Sequence, residues 1–65
     1  MEFHRLVHRV KNEFLEMPGL QLTLPQAARL WGLDHEASRQ VINSLVEVSF
    51  LRWTPQGTVI REKAV

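Results

Sequence analysis

Residues 23–34, TLPQAARLWGLD, contain the start and the end of one predicted helix and the start of the next. Thr23 followed by Gln26 has the form of a capping box, in which each side chain satisfies a backbone N–H of the other residue. Gly32 suits the C-cap of this helix, and Asp34 is a good N-cap residue for another. The stretch therefore predicts two helices joined by a turn of about three residues.

The first of these two helices should end near Trp31, and the next should run from about His35 to Val48. Apolar residues in the latter recur every three or four positions, which is the pattern of a helix with one buried face. Its predicted buried residues are Val41, Ile42, Leu45 and Val48. Its predicted solvent-facing residues are Arg39, Gln40, Asn43 and Glu47.

Upstream, apolar residues over positions 3–17 also recur at helical spacing, which predicts an amphipathic first helix. The Pro-Gly pair at 18–19 should end it, because proline cannot continue the hydrogen-bond ladder. Residues 20–22 alternate apolar and polar side chains over a length too short for a helix. We expect a short strand there.

Downstream, residues 50–54 and 58–61 are rich in aromatic and branched side chains and flank a Pro-Gln-Gly turn sequence, so they predict a β-hairpin. Its register stays open, since loops of roughly three and four residues both suit the turn and exchange the faces of Val59 and Ile60. Strand 20–22 should pair with the hairpin in a three-stranded sheet, because an isolated hairpin is marginal in water. Residues 62–65 are expected to form a frayed tail.

The composition is that of one small domain covering residues 1–65. The hydrophobic fraction of 45% is typical of a globular protein, and a chain of this length has room for a single core. There is no cysteine, so packing must hold the domain together without disulfides. No apolar run approaches the ~20 residues that span a bilayer, and the amino terminus lacks a secretion signal, so we expect a cytoplasmic protein.

The sequence lacks the patterns of a catalytic or cofactor site. It has no glycine-rich phosphate loop, no paired carboxylates in an apolar setting and no Ser-His-Asp arrangement that so small a domain could enclose. His4 and His8 share a face of the first helix, but no third metal ligand follows at a suitable spacing. We therefore expect a binding protein and not an enzyme, with no cofactor and no metal.

Residues 24–41, together with Leu45 and residues 50–51, resemble the winged helix-turn-helix domains of prokaryotic transcription regulators. The small Ala28 lies where the two helices would cross, and Gly32 occupies the sharp turn that follows. The resemblance implies an α+β fold with three helices, a short strand and a C-terminal hairpin wing. It also implies double-stranded DNA as the partner and a role in transcription regulation.

Three features depart from that family pattern. Ser38 stands where a branched apolar residue is usual, and Ser49 stands where a glycine commonly separates the third helix from the wing. The hairpin tip between Thr54 and Thr58 carries no basic residue. The tip itself therefore offers no cation for a minor-groove contact.

If the third helix enters a major groove, as the resemblance implies, its exposed polar side chains would face base edges. Arginine can pair with guanine, and asparagine or glutamine with adenine, through two hydrogen bonds. The predicted base-facing residues are His35, Arg39, Gln40 and Asn43. The predicted phosphate-facing residues, which position the protein without reading sequence, are Arg29, Ser38, Arg52 and Arg61.

Two alternatives stay open at this point. The formal net charge is only +1, which is weakly basic for a nucleic-acid binder, so the same fold could instead bind a partner protein. The first helix also carries apolar residues in a seven-residue rhythm, which indicates either a homodimer seam or an ordinary core stripe. The residues of that rhythm are Phe3, Val7, Val10, Phe14 and Met17, and the first four would form the seam.

Overall fold

The computed structural model describes residues 3–62, which form three α-helices and one three-stranded antiparallel sheet. The elements in chain order are α1 Phe3–Glu16, β1 Leu22–Thr23, α2 Leu24–Trp31, α3 His35–Glu47, β2 Leu51–Trp53 and β3 Thr58–Arg61. The predicted α+β class and the predicted order of elements are confirmed. Within the described residues, no helix is long and apolar enough to cross a membrane.

The ends of α2 and the start of α3 form as their sequence predicts. Thr23 Oγ1 accepts a hydrogen bond from the Gln26 N–H (3.2 Å), and Gln26 Oε1 accepts one from the Thr23 N–H (2.9 Å). Gly32 follows α2 in the left-handed conformation with φ 69°. Asp34 then caps α3 by accepting from the Ala37 N–H at 2.7 Å. Because all of these bonds are local, the three-residue turn between α2 and α3 is set by its own side chains.

The carboxyl end of α3 is a Schellman turn that has a serine where glycine is usual. Ser49 has φ 62°, and its N–H donates to the Val46 carbonyl while the Phe50 N–H donates to the Leu45 carbonyl. The left-handed turn ends the helix at Glu47 and directs Val48 outward, with 69% of its surface exposed. The prediction that Val48 is buried was therefore wrong.

The sheet has the strand order β1-β3-β2, and its register resolves the open question about the hairpin. Trp53 pairs with Val59, and the Thr54 N–H donates to the Thr58 carbonyl at 2.8 Å, so the loop is the three residues 55–57. This loop directs Val59 into the core and leaves Ile60 on the other sheet face, half-buried.

Two strand ends differ from their predictions. β1 begins at Leu22 rather than at residue 20, and it includes Thr23, which also caps α2. Glu62 is not frayed, because its N–H donates to the Phe50 carbonyl at 2.9 Å and extends the hairpin pairing. The rest of the predicted tail, residues 63–65, lies outside the described residues.

The core fills the space between the three helices and the inner face of the sheet. Its main side chains are Leu6, Val10 and Phe14 from α1, Ala27 and Trp31 from α2, Val41, Ile42 and Leu45 from α3, and Leu22, Leu51 and Val59 from the sheet. Val10 and Phe14 have no exposed surface, so they cannot form the homodimer seam considered for α1. At these two positions the ordinary core stripe is correct.

Candidate nucleic-acid interface

The four residues predicted to face bases lie together on the solvent side of α3. His35, Arg39, Gln40 and Asn43 are all exposed. Three of them follow one another at intervals of four residues, and together the four extend about 12 Å along the helix axis. We call these four residues the α3 outer face. Their donors and acceptors are exposed on the second of the two helices that the three-residue turn joins.

Carboxylates flank the α3 outer face. Glu36 and Glu47 are exposed on the same side of the helix as Arg39. Arg39 supplies the positive charge of the α3 outer face. Asp34 is used as the N-cap and so has a structural role. Since this part of the helix carries more negative than positive formal charge, any attraction for phosphates must come from α1, α2 or the hairpin.

Within residues 3–62, one side-chain hydrogen bond joins the hairpin to the α3 outer face. The indole N–H of Trp53, on β2, donates to Asn43 Oδ1 at 3.3 Å. Asn43 also lines a shallow hollow of about 330 Å³ between α3 and Phe3 at the start of α1. The outer face is therefore bordered by an aromatic side chain from β2 and by another from α1.

The predicted phosphate-facing arginines occupy different environments. Arg29 is exposed on α2. Arg52 is exposed on β2, and its Nε lies 3.0 Å from Glu62 Oε1. The Arg52 N–H does not point at that oxygen, which has no hydrogen-bond partner among the described residues, so the contact is an ion pair only. Exposed pairs of this kind contribute little to stability, and Arg52 can exchange its carboxylate for a phosphate.

The guanidinium of Arg61 lies 4.7 Å from the centre of the Phe50 ring, and Lys11 Nζ from α1 lies 5.4 Å from the same ring. The two cations therefore lie no more than about 10 Å apart around the same ring. Nothing in the sequence predicted this cluster, because its members come from α1, the α3–β2 turn and β3. Only the tertiary packing brings them together.

The prediction that Ser38 faces a phosphate was wrong. Its side chain has no exposed surface, and its Oγ has no hydrogen-bond partner within residues 3–62. It occupies the position where the family pattern has an apolar residue, and it is buried as that residue would be. The hydroxyl cannot reach a ligand outside the protein.

Apolar hollows also lie elsewhere on the described surface, and one of them is a groove beside the sheet. The groove, of about 480 Å³, lies between residues 18–20 and the sheet near Ile60. Met17, beside it in sequence, is half exposed. Within residues 3–62, no three His, Asp or Glu side chains are placed to hold a metal ion.

Comparison with known proteins gives no match. No protein-family model, no curated protein and no solved structure matches this chain. Any functional assignment must therefore come from the chain's own residues.

Proposed function

We propose that this chain is a double-stranded DNA-binding module of the winged helix-turn-helix type, in which α3 enters the major groove and the β2–β3 hairpin is the wing. It acts in the cytoplasm as a transcription regulator or as the DNA-reading part of one, and not as an enzyme. The observation that carries the proposal is the α3 outer face, because four exposed polar side chains project from the second helix of a capped helix-turn-helix pair.

The chemistry of the outer face suits base edges. Arg39 can donate two hydrogen bonds to guanine, while Gln40 and Asn43 carry both a donor and an acceptor. Asn43 lies at the hairpin side of this face, where Trp53 contacts it. Base contacts from these residues would supply sequence preference, and each good pair discriminates by about 1–3 kcal/mol.

Phosphate attraction is assigned to arginines outside α3. Arg29 on α2 and Arg52 on β2 belong to elements that contact α3, and Arg61 lies on β3, which pairs with β2. If these three each neutralise one phosphate, the logarithm of the affinity should fall by about 2.7 per tenfold rise in salt. Between 50 and 200 mM salt the affinity would then drop roughly 40-fold.

The first experiment is a fluorescence-anisotropy titration of the full chain with mixed-sequence duplex DNA at those two salt concentrations. A loss of affinity near the expected value supports a phosphate-contacting surface. No binding at 50 mM salt, with the fold verified by circular dichroism, would contradict the proposal.

The second experiment tests the α3 outer face itself. Arg39→Ala should weaken binding to a selected site by about 1–3 kcal/mol and relax the base preference at one position. Arg5→Ala is the matched control, because Arg5 is also an exposed arginine but lies on α1. Equal effects from the two variants would show that only net charge matters and that α3 does not read bases.

A protein-binding module is the second candidate. The carboxylates beside Arg39 and the apolar groove near Ile60 favour it, because a phosphate-binding surface needs neither. The variant Arg29→Glu distinguishes the two functions, because Arg29 lies on α2 and does not line the groove near Ile60. It should sharply weaken DNA binding if the first proposal is right, and it should leave binding to a partner protein in the groove intact if the second is right.

A further inference from the structure

The contact between Trp53 and Asn43 fixes which end of the Asn43 amide faces outward. An indole nitrogen can only donate a hydrogen bond, so the Asn43 atom 3.3 Å from it must be the carbonyl oxygen. The amide NH2 group then lies on the side away from Trp53. Without the indole, an exposed asparagine could turn either end of its amide toward a ligand, since the terminal torsion has broad minima.

Trp53 is the better anchored member of this pair. It is half-buried and packs against the core, whereas Asn43 is exposed. The backbone of Trp53 is also held opposite Val59 in the hairpin. The orientation of the Asn43 amide is therefore set by the hairpin and not by α3.

We propose that Trp53 is a positioning residue that makes Asn43 present a hydrogen-bond donor, so that the base pair contacted by Asn43 is read as guanine in preference to adenine. This inference rests on the proposed DNA-binding function. Guanine presents two acceptors, N7 and O6, in the major groove, whereas adenine presents one acceptor and one donor. A fixed NH2 group meets acceptors at both guanine atoms and would oppose the amino group of adenine.

The first arm of the test uses the free protein and does not depend on DNA. The two indole N–H resonances are recorded by NMR, with Trp53→Phe used for assignment. Asn43→Ala should shift the Trp53 resonance, whereas Asn43→Asp, which keeps the accepting oxygen, should leave it hydrogen-bonded. Trp31 is the internal control, because its N–H donates to Glu13 instead. An unchanged Trp53 resonance in Asn43→Ala would overturn the inference.

The second arm measures base preference with the full chain. A randomised duplex pool gives the selected site, and four duplexes then vary the position at which Asn43→Ala loses discrimination. The wild type should prefer guanine to adenine about fivefold or more. Trp53→Phe keeps an aromatic ring without the N–H, and it should bring that ratio to within about twofold. Asn43→Asp should prefer cytosine, whose amino group donates to a carboxylate.

The outcomes separate the inference from the function on which it rests. A wild type that prefers adenine at this position, or a Trp53→Phe variant that keeps the guanine preference, overturns the role of Trp53 while DNA binding stands. A wild type that binds DNA without selecting a sequence overturns the inference and leaves only non-specific DNA binding, whereas a wild type that binds no DNA overturns both. A Trp53→Phe variant that loses guanine preference, keeps its affinity for mixed-sequence DNA and melts as the wild type does supports the inference.

Discussion

Replacing Glu13 by alanine should destabilise the domain more than any other single change to a charged residue in α1. The indole N–H of Trp31, a residue with only 4% of its surface exposed, donates to Glu13 Oε1 at 2.9 Å. Glu13→Ala leaves this donor without a partner, which costs about 1.5–3 kcal/mol when the lost acceptor is charged. For a domain of this size, a loss of 2 kcal/mol lowers the melting temperature by about 8–16 °C.

Thermal and urea denaturation followed by circular dichroism measure this effect. Glu13→Gln keeps an accepting oxygen and should lose only about 1 kcal/mol or less. Arg9→Ala removes the exposed ion pair between Arg9 and Glu13, whose atoms lie 3.6 Å apart, and should cost about 0.5 kcal/mol or less. If Glu13→Ala unfolds within about 0.5 kcal/mol of the wild type, or if Arg9→Ala costs as much, the hydrogen bond to Trp31 does not stabilise the fold as argued.

Three further predictions concern α3 and can be checked by the same denaturation measurements. Ser49→Gly should raise the free energy of unfolding by about 0.5–1 kcal/mol, because glycine adopts the left-handed conformation without the steric strain of serine. The larger entropy of glycine in the unfolded chain offsets part of this gain, and no gain at all would mean that the serine is unstrained. Ser38→Ala should stabilise by about 0.5–2 kcal/mol by removing a buried hydroxyl that lacks a partner, and a loss would show that the hydroxyl is satisfied. Leu45→Ala should cost about 2–5 kcal/mol, whereas Val48→Lys should stay within about 0.5 kcal/mol, as their burial requires. Equal costs would place Val48 in the core after all.

Local chemistry in the sequence was sufficient for the elements and for most of their ends. The capping box of Thr23 and Gln26, the glycine at 32 and the cap at Asp34 each involve residues no more than a few positions apart. The partners of these hydrogen bonds are neighbours in the sequence, so the two helices and the turn between them were predictable. Helical spacing likewise identified the exposed residues of the α3 outer face.

Contacts between distant residues were decided only by the tertiary structure. The hairpin register depends on which of Val59 and Ile60 the core accepts, and the turn residues allow either. Ser38 was predicted to face phosphates, although the resemblance has an apolar residue at this position, and the structure places its side chain in the core.

The same limit applies to the candidate site. The sequence by itself determined that Asn43 is exposed on α3, because one helix and its periodicity are enough to decide exposure. Only the packing of the hairpin beside α3 decided that Trp53 donates to Asn43. Periodicity describes which way a side chain points from its own element, whereas the orientation of an amide depends on a neighbour that another element supplies.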